Sequence, residues 1–110
     1  MKVSYRQAYG DYTIVVQEIV QGRFDLFVLF NPPYSHNQTR CDLESYENEF
    51  TAKRAAEQFP AMYDVAKQEG FRLIYGEFRH PDGREVHVSY SLDLDRSPDN
   101  FRRFLQGKTL

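Results

Sequence analysis

The apolar positions of this chain follow two periods, and the change between them divides the sequence into elements. Val3, Tyr5, Gln7 and Tyr9 alternate with Lys2, Ser4, Arg6 and Ala8, the two-residue period of a half-buried strand. Tyr12 to Val20 and Phe24 to Phe30 follow as further strands, the former apolar on both faces around Ile14-Val15-Val16, as a central strand is. Gly10-Asp11 and Gln21-Gly22 are short enough to join the three as hairpins, giving a meander. Asn31-Pro32-Pro33 stops the third strand, and the polar run Tyr34 to Arg40 reads as an exposed loop. Cys41 to Phe50 fits either a fourth strand or an acidic lead-in to a helix, and the alternation of Cys41, Leu43 and Ser45 with Asp42, Glu44 and Tyr46 favours a polar edge strand.

From Thr51 the period becomes helical. Ala52, Ala55, Ala56, Phe59, Met62, Tyr63 and Ala66 form one stripe at i, i+3, i+4 spacing. Thr51 is the expected N-cap and Gly70 the expected residue beyond the C-terminus. Pro60 predicts a kink, or two helices with the proline opening the second. Phe71 to Phe78 and Glu85 to Leu92 then read as a hairpin around Pro81-Asp82-Gly83, with Val86, Val88, Tyr90 and Leu92 on its inner face. Ser97-Pro98 opens a short helix carrying Phe101, Phe104 and Leu105 on one side. The expected fold is α+β, one domain over residues 1–110. An antiparallel sheet of five or six strands in the order βββ(β)αββα would carry the long, Pro-kinked helix on one face, with a short C-terminal helix.

Composition adds one feature to this picture. Aromatic residues make up 15% of the 110, all Phe and Tyr, which suits a sheet core and also leaves tyrosines for an interface. If Ile14, Val16, Leu26 and Val28 face the helix, Val15, Phe27 and Leu29 lie on the opposite face. That face would be an exposed apolar patch unless a second copy or another protein covers it, or the strands curl to enclose it.

Charge excludes more than it suggests. A net charge of −2 gives no global attraction for nucleic acid or anionic lipid. The acidic run Asp42, Glu44, Glu47, Glu49 and the basic group Arg96, Arg102, Arg103, Lys108 read as solvated faces. Cys41 is the single cysteine, so no internal disulfide forms and a reducing compartment is implied. Without an apolar leader, or an apolar run near the ~20 residues a bilayer needs, the expectation is a cytoplasmic protein with no membrane partner.

Candidate chemistry is sparse. His36 and Cys41 flank the polar loop and are the minimum for a thiol nucleophile with its base, although Asp42 and Glu44 disfavour the thiolate. His80 and His87 lie on opposite arms of the second hairpin, but supply fewer ligands than a zinc site uses. Asp93-Leu94-Asp95-Arg96-Ser97 opens like a calcium loop, yet Pro98 and Phe104 stand where the turn glycine and the closing glutamate belong. Arg102 and Arg103 beside Phe101 and Phe104 interleave charge with aromatics, as single-strand binders do. No metal or cofactor is expected.

The reading that fits best is a small non-enzymatic binding or regulatory module acting through a protein interface, self-associating or bound to another protein. Phe27, Leu29, Tyr34, Arg102 and Arg103 are its candidate binding residues. The alternatives are a nucleic-acid binder using the basic C-terminal end, or a small enzyme or ligand binder with a pocket near residues 34–41.

Overall fold

The computed structural model describes residues 2–30 and 39–107. Cα packing divides the chain into two compact units, Met1–Ala56 and Glu57–Leu110. The fold is α+β. Its strands form two sheets in place of the single sheet of five or six expected from the pattern: a four-stranded sheet in the order β1-β2-β3-β4 and a three-stranded sheet in the order β5-β6-β7.

In the first unit, β1 (Lys2–Tyr9), β2 (Tyr12–Val20), β3 (Arg23–Phe30) and β4 (Thr39–Tyr46) pair antiparallel throughout. This is the meander that the alternation predicts, with the acidic strand at its edge. Cross-strand rows fix which residues share a face. Gln7, Ile14, Val28 and Cys41 form one row, and Arg6, Val15, Phe27 and Asp42 form a row of the other face. Three bulges correct the predicted alternation. Ser4 is an extra residue between the Val3–Gln17 and Tyr5–Val16 pairs, Ile19 on β2 between the Glu18–Phe24 and Val20–Arg23 pairs, and Leu43 between the Leu26–Glu44 and Phe27–Asp42 pairs. The first has a visible use, because the Ser4 hydroxyl donates to Glu49 Oε2 at 3.0 Å. That bond, helped by Lys53, holds the Glu49 carboxyl below its ordinary pKa.

Helix α1 (Glu49–Gln68) begins earlier than Thr51. Asn48 is the cap: its side-chain oxygen accepts from the Thr51 amide at 3.0 Å and its carbonyl from the Ala52 amide at 3.1 Å. The helix does not split at Pro60 but continues through it. Proline there removes the bond to the Ala56 carbonyl, and burial of Phe59, Met62 and Tyr63 around it outweighs that loss. At the other end the Phe71 amide donates to the Ala66 carbonyl at 2.9 Å and the Gly70 amide to that of Lys67 at 3.1 Å, a Schellman closure with Gly70 at φ +87°.

In the second unit, β5 (Arg72–Ile74), β6 (Glu77–Arg79) and β7 (Glu85–His87) make the small sheet. The predicted arm Phe71–Phe78 is thus two strands joined by the turn Tyr75-Gly76. The predicted return arm is also shorter. After His87 the chain winds into a 3-10 helix, Val88–Leu92, which turns Val88 and Leu92 inward and leaves Tyr90 43% exposed. The Ser91 hydroxyl, fully buried, donates to the Val88 carbonyl at 2.6 Å and fixes that winding. Helix α2 (Pro98–Leu105) has the expected Ser97 cap, accepting from the Asn100 amide at 3.1 Å. Phe78 is the centre of this unit's core, with ring centroids 6.5 Å from Phe59, 6.3 Å from Tyr63 and 6.0 Å from Phe101.

Gly70 is doubly constrained, since a Cβ there would stand 3.0 Å from His80 Nε2 on a backbone that L residues avoid. Gly70→Ala is expected to destabilise the fold by about 1–2 kcal/mol in urea unfolding.

Candidate functional site

The residues singled out from the sequence do not converge. Tyr34 and His36 fall outside the described residues. Cys41 is buried on β4 in the row of Ile14 and Val28. Val15 and Phe27 keep only 2% and 5% exposure, and Leu29 is half-buried, so the face expected to need a partner is largely covered within one chain. Part of that cover is charged. The Arg40 guanidinium lies 3.8 Å above the Phe27 ring and pairs with Asp42 at 2.7 Å.

An open depression of about 310 Å³ lies over the same end of the sheet. Arg23, Asp25, Arg40, Asp42 and Ser45 line it and consume one another's charge. Asp25 lies 3.6 Å from Arg23 and 3.8 Å from Arg40, and accepts from the Ser45 hydroxyl at 2.8 Å. These groups answer each other and leave none aimed at a ligand.

In the second unit, Arg102 is engaged with Glu69 at 2.8 Å and Gln68 at 2.5 Å, while Arg103 is exposed. The Glu69 carboxyl is held below its ordinary pKa, first by the hydrogen bond from Gln106 and then by Arg102. The histidines of the small sheet each turn to a local partner. His80 packs edge-on to Phe71, with Nδ1 2.9 Å from Asp82 Oδ1 and 3.1 Å from the Asp82 amide. His87 Nδ1 lies 2.9 Å from the Ser89 hydroxyl. Among the described residues no group of three His, Cys, Asp or Glu side chains could hold a metal ion.

The feature that stands out lies in the β5–β6 turn, which the sequence reading passed over. Tyr75 and Gly76 have φ of +49° and +79°, the pair of positive angles that a two-residue type I′ turn needs, and Ile74 pairs with Glu77 across it. Asn, Asp or Gly ordinarily fills the first of these positions, and Tyr75 is the one non-glycine described residue at positive φ. A tyrosine there costs about 1 kcal/mol. Among the described residues nothing repays it, because Tyr75 is 93% exposed. Gly76 behind it is buried, and its carbonyl accepts from the Val88 amide at 2.9 Å, so the turn is anchored while its aromatic ring points outward.

A second local cost lies three residues along each arm. Arg72 and Arg79 are direct cross-strand partners. Like charges so placed repel. Among the described residues no carboxylate forms an ion pair with Arg72, and Arg79 reaches only Glu77, at 3.9 Å. The sequence did hold a signal for the turn, an isolated Gly76 in the middle of an otherwise strand-like run, but an aromatic before glycine is not the composition that marks a hairpin.

No helix of the described residues is long and apolar enough to cross a membrane. No family model, curated protein or solved structure matches the chain.

Arg40→Ala removes both the cation over Phe27 and the Asp42 pair, and is expected to cost about 1 kcal/mol and raise binding of an apolar dye. Arg103→Ala is expected to stay within about 0.5 kcal/mol of the parent in the same denaturation assay.

Proposed function

We propose that this chain is a small non-enzymatic binding or regulatory module that acts through a protein interface, presented at the β5–β6 turn. The observation that carries the reading is Tyr75: a nearly fully exposed aromatic ring, held at a backbone angle that disfavours it, on a turn anchored from behind. Exposed outliers of this kind are kept where function needs them, and tyrosine is a residue on which interface energy concentrates. A rigid turn also lowers the ordering cost of association.

The alternatives have less support. Catalysis by Cys41 would need a buried thiol with two carboxylates close by in sequence to act as nucleophile. Nucleic-acid binding at the C-terminal end is left, among the described residues, to Arg96 and Arg103, since Glu69 and Gln68 already hold Arg102. A second copy and a different protein are both occupants of the proposed class. The shielding of Val15 and Phe27 removes the argument that a copy must cover them.

Native mass spectrometry of the protein purified from its own host is expected to show a bound protein, or a dimer. In Tyr75→Asn that species falls by at least about tenfold while the chain stays folded by circular dichroism. A monomer with nothing bound, or a complex indifferent to the substitution, overturns the reading.

A further inference from the structure

Two violations of local strand chemistry occupy one short hairpin. The positive-φ tyrosine is at its tip, and the arginine pair Arg72–Arg79 faces outward on its arms. Sequences satisfy such rules where nothing else is asked of them, so coincident violations mark a functional element. Alternation places Arg72, Ile74, Glu77 and Arg79 on the same face of the hairpin, opposite buried Phe78. Ile74 is half-buried, leaving an apolar step between the arginine pair and the exposed ring.

We infer that this hairpin recognises a carboxylate-bearing segment of a partner protein, with the acidic group bridging Arg72 and Arg79 and the Tyr75 ring entering an apolar pocket beside it. The inference rests on the protein-binding reading given above. A carboxylate placed between two guanidinium groups accepts hydrogen bonds from both and cancels the repulsion between them. The surroundings favour one discrete acid over a chain of phosphates. Glu77 lies on the same face, and Glu85 is the cross-strand partner of Arg79 on its far side. A polyphosphate backbone passing over Arg72 and Arg79 runs on past Glu77 or Glu85, while a single carboxylate seated between the two arginines ends there.

The test selects random peptides by display on the immobilised full chain. Affinities of the enriched peptides are then measured for the parent, Tyr75→Asn, Arg72→Gln and Arg103→Gln, with a single-stranded oligonucleotide titrated in parallel at low salt. The expected result is a set of peptides rich in Asp or Glu whose binding weakens at least about tenfold in both Tyr75→Asn and Arg72→Gln and is unchanged in Arg103→Gln, with no oligonucleotide binding. Peptides that need Tyr75 but ignore Arg72 overturn the carboxylate assignment and leave the binding module standing. Binders indifferent to Tyr75, or no enriched binder at all, overturn both. Oligonucleotide binding that depends on Tyr75 and Arg72 replaces the acidic protein segment with nucleic acid and overturns the inference.

Discussion

The two-residue turn at Tyr75-Gly76 is the constraint on which the second unit depends. By reversing the chain after three residues of β5 it brings Leu73, Phe78 and Val86 into one cross-strand row. That register carries Phe78 to the rings of Phe59, Tyr63 and Phe101, where it is fully buried. The same turn offers the Gly76 carbonyl to the Val88 amide, which ends β7 and starts the 3-10 helix. A straight Phe71–Phe78 strand would alternate through positions 75 and 76 and make none of these contacts. Glycine at 76 is a direct requirement of this geometry. Tyrosine at 75 is not, and that difference is the basis of the functional argument.

Much of the fold was legible because burial imposes a period. The meander, the long helix and the Ser97-capped helix each follow from the spacing of apolar side chains and from capping chemistry that acts within a few residues. What was not legible lies where tertiary contacts choose between patterns that fit equally well. Val86, Val88, Tyr90 and Leu92 alternate as a strand would, but Val88 and Ser91 are also one 3-10 turn apart, and burial of both beside Leu92 decides for the helix. At Pro60 local propensity argues for a break, and the buried residues on either side override it. Asn48 outcompetes Thr51 as a cap because both its side chain and its carbonyl meet free amides.

The candidate site shows the same division. Counting apolar residues on β2 and β3 suggested an exposed patch, since a sequence pattern does not reveal that Arg40 on the neighbouring strand reaches across to lie on Phe27. Long charged side chains cover apolar surface as effectively as apolar ones, and they read as polar in any pattern. Tyr75 was hidden for the opposite reason. In a strand-like run it reads as one more inward aromatic, and only its backbone angle and exposure separate it from the other six described tyrosines.

Tyr75 is held at a conformational cost for which the described residues return nothing. The most direct measurement is the unfolding free energy of Tyr75→Asn against the parent, by urea titration with both arms of the transition resolved. Asparagine tolerates the left-handed angle, so the variant should be more stable, by about 0.5–1 kcal/mol. Equal or lower stability would mean that the ring supports the fold itself, and would remove the argument that it is kept for a partner.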